Sequence, residues 1–202
     1  MRAPQADSPT KVKLLDAAQE LMLAKGYTAT SVEEVCQAAG LTKGSFFHYF
    51  EGKEQLGREV AQRFADSMQQ LFESAPFHQE KDPLDRVFGR VDFLIELSHR
   101  PRHGSPGCLL GTFAQELSAT HPTIRSVCAD CFDAVSRSFK QDLEEAKAKY
   151  APRARWSPQS LADHLTAVAQ GAMILAKARQ DSTVMAESLT HFREYLKGVF
   201  AR

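Results

Sequence analysis

The chain has 202 residues, 43% hydrophobic, 25% charged and 9% aromatic, a globular composition long enough for one large or two small domains with a real core. Lys plus Arg and Asp plus Glu both number 25, so the formal net charge is zero and any polyanion partner must be met by local placement of charge. Only 20 residues are Pro or Gly, four cysteines make no disulfide scaffold, no signal peptide opens the chain, and no apolar run approaches the roughly 20 residues of a bilayer span; a cytoplasmic protein is expected.

Residues 1–9 (MRAPQADSP) carry two prolines and no periodicity, and read as a flexible arm. Beyond them the apolar spacing is helical almost throughout. Leu14, Leu15, Ala18, Leu21 and Met22 share one face, and Gly26 stands where a C-terminal cap belongs. Ser31 before Val32-Glu33-Glu34-Val35 is an N-cap with acids in the first turn, and that short helix ends at Gly40. Thr42 opens a second short helix, Lys43 to Tyr49. Leu56, Val60, Phe64, Met68, Leu71 and Phe72 define a longer one that ends by Pro76. Asp82-Pro83 starts the next, with Leu84, Val87, Phe88, Val91, Leu94 and Ile95 on its stripe.

A basic, Pro/Gly-broken loop follows at 99–107, then a short helix with Leu110, Phe113, Ala114 and Leu117. His121-Pro122 breaks the chain before a long helix carrying Ile124, Cys128, Cys131, Val135, Phe139 and Leu143. Residues 151–158 break it again. Leu161, Leu165, Val168, Ala172 and Leu175 then mark one helix, and Met185, Leu189, Phe192, Leu196 and Val199 another. No strand pattern and no repeat interrupts the series. The expected fold class is all-α, with about nine helices.

The informative stretch is 31–50, SVEEVCQAAGLTKGSFFHYF. Two helices of about seven residues flank a tight Ala38-Ala39-Gly40-Leu41 connection, and Gly40 tolerates the positive φ such a turn needs. Val32, Val35, Cys36 and Ala39 can face inward. The second helix then presents Thr42, Lys43, Ser45, His48 and Tyr49 outward: small donors, a cation and a phenol at the front of a short helix. Recognition helices read base edges and hold phosphates with such a surface, so the physical reading is a helix-turn-helix. The bland alternative is any helix pair with a glycine turn. Charge does not decide between them, because residues 1–53 hold six basic and six acidic side chains.

Residues 10–56 resemble the DNA-binding domain of the TetR family of transcriptional regulators. The matching runs are Leu14-Leu15-Asp16-Ala17-Ala18, Gly26-Tyr27-Thr28-Ala29-Thr30-Ser31-Val32, Ala38 through Ser45, Phe46-Phe47-His48-Tyr49-Phe50, and Lys53-Glu54-Gln55-Leu56. The resemblance implies that Thr42, Lys43, Ser45 and His48 face bases and phosphates. It gives Ser31, Tyr49 and Lys53 the backbone, lets Gly44 bring the helix close to DNA, and packs Phe46 and Phe50 inward. The chain departs from the family at Phe47, where a Tyr is common, so one phenolic phosphate contact is missing.

The resemblance further implies an N-terminal helix-turn-helix domain of three helices over 10–55, and a helical ligand-binding and dimerisation domain over 56–202. The last two long helices, about 158–179 and 183–201, would supply a dimer's four-helix bundle. Ala167, Ala169, Gly171, Ala172 and Ala176 are small, as close helix approach requires, while Met173, Ile174 and Leu175 widen the apolar face. The interface residues expected are Leu165, Ala172, Leu175, Leu189, Phe192 and Leu196, with simple burial inside one subunit as the alternative. Phe88, Phe93, Cys108, Phe113, Phe132 and Phe139 are candidates to line a ligand pocket, although aromatics at helical spacing equally make plain core. Trp156 reads as a surface cap or part of a dimer edge.

Cys108 follows Pro106-Gly107 at a helix start, with Arg100, Arg102 and His103 upstream, a setting that favours thiolate. Gly107-Cys108-Leu109-Leu110-Gly111 resembles a pattern in one branch of the family, some members of which sense electrophiles or oxidants. A small packing residue is the competing reading. Cys128 and Cys131 form a lone C-x-x-C inside a helix, with no second pair and no diagnostic histidines, so buried core thiols are expected rather than a metal or redox site.

The expectation is a cytoplasmic homodimer that binds a palindromic double-stranded DNA operator, most simply a repressor released by a small-molecule inducer, apolar or electrophilic. A thiol sensor acting through Cys108 is the alternative on the same scaffold. A small helical enzyme or metal-binding protein is the reading from another class, and no nucleophile elbow, H-E-x-x-H or phosphate loop supports it. No enzyme activity, cofactor, metal or membrane partner is expected.

Overall fold

The structure, a computed structural model, describes residues 8–99 and 107–201. Most of the N-terminal arm and the basic loop, including Arg100, Arg102, His103 and Pro106, therefore lie outside the described residues. Those residues form nine α-helices and one 3-10 turn, with no strand among them: α1 Pro9–Lys25, α2 Val32–Ala39, α3 Lys43–Tyr49, α4 Lys53–Glu73, the 3-10 turn Pro76–Gln79, α5 Pro83–His99, α6 Leu109–Leu117, α7 Pro122–Tyr150, α8 Pro158–Arg179 and α9 Thr183–Val199. The all-α expectation holds. The 3-10 turn was not legible, since four residues carry no periodicity.

Local chemistry sets most helix ends. Ser8, Ser31, Thr42 and Ser157 each accept a backbone N–H into the first turn of their helix. Pro83 begins α5 without a donor to waste, and the Asp82 carboxylate accepts from Leu84 N–H at 2.8 Å. Asp82 also takes Lys149 at 2.7 Å and the Tyr150 hydroxyl, and these bonds hold its pKa far below the usual carboxylate range.

The described residues divide into two compact units, one comprising the chain up to Asp66 together with Leu109–Cys128, the other Ser67–Cys108 and the chain from Ala129. In the first, α1 packs against α2, α3 and α6. Leu14, Leu15, Ala18, Met22, Val35, Phe46, Phe50, Leu56 and Val60 are buried there.

In the second unit the core runs through α5, α7, α8 and α9, around Leu84, Val87, Val91, Phe139, Leu143, Leu165, Leu189, Phe192 and Leu196. Arg90 lies among them with only 1% of its surface exposed. Its guanidinium stacks on Phe77 at 4.7 Å and Phe139 at 5.3 Å, and one nitrogen reaches Ser138 at 2.8 Å and Asp142 at 3.4 Å. Arg86 holds the other oxygen of Asp142 at 2.8 Å, so one carboxylate on α7 anchors two arginines of α5. Burial lowers the pKa of Arg90 from its ordinary value, with Asp142 acting against that shift.

Candidate nucleic-acid interface and ligand cavity

The turn between α2 and α3 is a Schellman cap: Leu41 N–H donates to Cys36 O at 2.9 Å and Gly40 N–H to Gln37 O at 3.1 Å. Gly40 has φ +67°, the left-handed region glycine enters without penalty. On the other side of α2, Ser31 and Glu34 form a reciprocal capping box. The Lys25 ammonium and the Ser31 backbone and hydroxyl together hold the Glu34 pKa down to about 2. Side chains thus cap both N-termini of the two short helices, and the backbone at Gly40 and Leu41 closes the C-terminus of α2.

Phe46 and Phe50 point into this unit and are fully buried, their rings 5.3 Å apart. That leaves Thr42, Lys43, Gly44, Phe47 and His48 on the exposed surface of α3, with Ser45 and Tyr49 half-buried at its edges. The Thr42 side chain accepts from Ser45 N–H at 3.2 Å and lies 3.1 Å from the Ser45 hydroxyl. Lys43 pairs with Glu33 of α2 at 3.1 Å, both well exposed, and His48 meets Tyr49 edge to face at 4.7 Å. Ser31 is exposed but occupied by its capping duty.

Lys53 sits at the first position of α4, its ammonium 4.4 Å above the Tyr27 ring and donating to Thr28 O at 3.2 Å. Burial lowers its pKa from the ordinary lysine value, while Glu116 and Glu34 raise it. Glu116 of α6 is a residue that spacing could not reveal. Its carboxylate accepts from Thr28 N–H at 3.0 Å across 88 residues of chain. Gly26, at φ +88°, makes room for it: a β-carbon there would stand 2.0 Å from Glu116 Oε1. Phe113 and His121 close on the Tyr27 ring at 5.8 and 5.2 Å. Lys53 is therefore perched on a loop that α6 braces.

In the second unit a cavity of about 450 Å³ opens along α5, lined by Pro76, Phe77, Phe88, Gly89 and Phe93 with Glu80, Asp85, Asp92, Glu96 and Arg193. Arg193 donates to both Asp92 oxygens, at 2.6 and 3.2 Å, and covers the Phe88 ring at 5.2 Å. Of the six candidate pocket residues, Phe88 and Phe93 line this cavity. Phe139 does not, because it is core beneath Arg90. Phe113 is buried in the first unit against Tyr27. Phe132 is half-buried on α7, and Cys108 half-buried just before α6. Cys128 is buried and Cys131 half-buried on α7, and no group of three or more metal-ligating side chains forms among the described residues.

Most of the residues expected at a dimer interface are covered by their own chain. Leu165, Ala172, Leu189, Phe192 and Leu196 are all buried within the single chain, where α8 and α9 pack on each other and α9 packs on α5. Only Leu175 of the six is exposed. It shares its outward surface with Ile174 on α8, while Tyr195 is exposed on α9. Spacing located both helices but does not separate the face of α8 that its own chain covers from the face left in water, since both carry apolar side chains. Trp156, expected at a surface or dimer edge, packs edge to face on Phe200 of its own chain at 5.3 Å, under Lys147.

Comparison with known proteins bears on both ends of the chain. Residues 14–60 match the family of bacterial regulatory proteins of the tetR family, and residues 83–192 match the tetracyclin repressor-like C-terminal domain. The transcriptional regulator AcuR of Cereibacter sphaeroides is 30% identical, covering 87% of this chain and 79% of its own. The HTH-type transcriptional repressor DhaR of Mycobacterium sp. (strain GP1) is 28% identical over 92% of this chain and 91% of its own. A solved TetR regulator from Chloroflexus aurantiacus superposes with a TM-score of 0.82 at 24% identity, covering 93% of this chain and 94% of its own. With both its domains matched and a family helix-turn-helix built from its own caps, the chain belongs to the TetR family of DNA-binding transcriptional regulators.

Proposed function

We propose that this protein is a non-enzymatic repressor that binds a palindromic operator as a homodimer and leaves it when a small molecule occupies its C-terminal domain. The observation that carries the DNA half of this reading is the exposed face of α3, capped at Thr42 and backed by buried Phe46 and Phe50. In it Thr42, Lys43, Ser45 and His48 meet bases and phosphates, Gly44 admits close approach, and Ser31, Tyr49 and Lys53 hold the backbone. The dimer half is supported by Ile174, Leu175 and Tyr195, large apolar groups that α8 and α9 leave in water. Two such chains would set their recognition helices about 34–36 Å apart, or a multiple of it. The inducer site is the cavity at Phe88 and Phe93, whose carboxylates suit a ligand with one apolar side and hydrogen-bond donors or a positive charge. Ligand acts by favouring a dimer whose helices no longer match the half-sites. No helix of the described residues is long and apolar enough to cross a membrane, and the reading places the protein in the cytoplasm.

The test is binding to duplex DNA from around the protein's own gene, followed by anisotropy as salt is varied. Tight, steeply salt-dependent binding is expected. A second reading, a thiol switch, is favoured by one observation: half-buried Cys108 lies one residue ahead of α6. Under that reading Cys108→Ser keeps operator binding and abolishes release by an electrophile. Unchanged release in the variant rejects it.

A further inference from the structure

Among the described residues four large apolar side chains stand exposed: Ile174, Leu175, Tyr195 and Phe47. The first three lie on α8 and α9, where a second copy would cover them. Phe47 is alone on α3, the most exposed of the four at 59%. Its position is not slack, because its ring meets the buried Phe46 ring at 5.2 Å and 87°. At 100° per residue, Lys43, Phe47, Gly44 and His48 follow one another around the exposed arc of α3. Phe47 therefore has a cation on one side and a residue without a side chain on the other. A β-carbon at Gly44 would meet only the Thr42 hydroxyl, at 3.6 Å, so the ground beside the Phe47 ring is open. The result is a shallow apolar step, flanked by donors, on the surface that faces DNA.

A ring without a hydroxyl cannot hold a phosphate. In the major groove the apolar group available to it is the thymine C5-methyl, which the other three bases lack. We infer that Phe47 is a specificity-determining residue that packs against a thymine methyl in each half-site, with Gly44 leaving the room for it. This rests on the proposed docking of α3 against bases and phosphates, with the helix lying in the major groove.

The experiment selects binding sites for the full chain from random-sequence duplex DNA, then replaces each thymine of the selected site, one at a time, by uracil, which removes only the methyl. The selected half-site should contain a thymine whose replacement lowers affinity about fourfold per methyl, the burial value of one such group. Phe47→Ala should bind more weakly and lose that sensitivity, with unchanged helix content. Indifference of the wild-type chain to uracil at every thymine overturns the inference, as does full sensitivity in Phe47→Ala. The uracil series leaves the protein untouched, so its outcome stands whatever the variant does. Failure of the groove placement is separable: there Lys43→Ala binds the selected site as tightly as wild type.

Discussion

At the scale of single residues, the proposed recognition surface carries an ion pair of its own. Lys43 points at Glu33, and a phosphate or base contact by Lys43, as proposed, exchanges that carboxylate for DNA. Exposed pairs of this kind are worth about 0.2–1 kcal/mol. Glu33→Gln should therefore tighten operator binding by up to about fivefold at low salt, read by anisotropy; unchanged or weaker affinity would mean that Lys43 makes no contact. Lys43→Ala should weaken the specific site, whereas Lys53→Ala should weaken all duplexes alike and reduce the slope of log affinity against log salt by about one. Glu34 sets a pH limit. Its folded pKa of about 2 lies below the unfolded value, so its contribution is full above about pH 4.5 and drains away as pH falls toward 2. The melting temperature should fall across that window, and Glu34→Gln should flatten the fall.

At the scale of elements, caps were legible and long-range braces were not. Ser31, Gly40, Thr42 and Pro83 announce helix ends because each acts on backbone groups within a few residues. The bond from Thr28 to Glu116 joins positions 88 residues apart and leaves no pattern. Its role can be measured: Glu116→Ala should free the loop under Lys53 and weaken binding to all duplexes, while Glu116→Gln keeps an acceptor and should preserve it. Equal losses in both would assign the effect to charge. Arg90 was hidden for a related reason, since an arginine on an amphipathic helix reads as solvent-facing. Its charge and that of Arg86 share Asp142, so Asp142→Ala should cost about 3–5 kcal/mol in denaturant unfolding.

At the scale of the whole molecule, periodicity named the helices that carry the proposed dimer but not their outer faces. An apolar stripe marks burial without saying whether the same chain or another supplies the cover. Here the chain's own core takes Leu189, Phe192 and Leu196 and leaves Ile174, Leu175 and Tyr195 outside. Leu175→Glu should accordingly yield a folded monomer by sedimentation, with operator affinity sharply reduced. Zero net charge makes the same point for DNA: affinity must come from the placement of a few cations, not from a general field.

The most direct test of that account is a titration of one selected duplex with the full chain and with Lys43→Ala, followed by sedimentation and anisotropy at several salt concentrations. The wild-type chain should bind as two copies per duplex with a steep salt dependence, and the variant should lose most of its preference for the selected sequence. Equal binding by both proteins, or one copy per duplex, would contradict it.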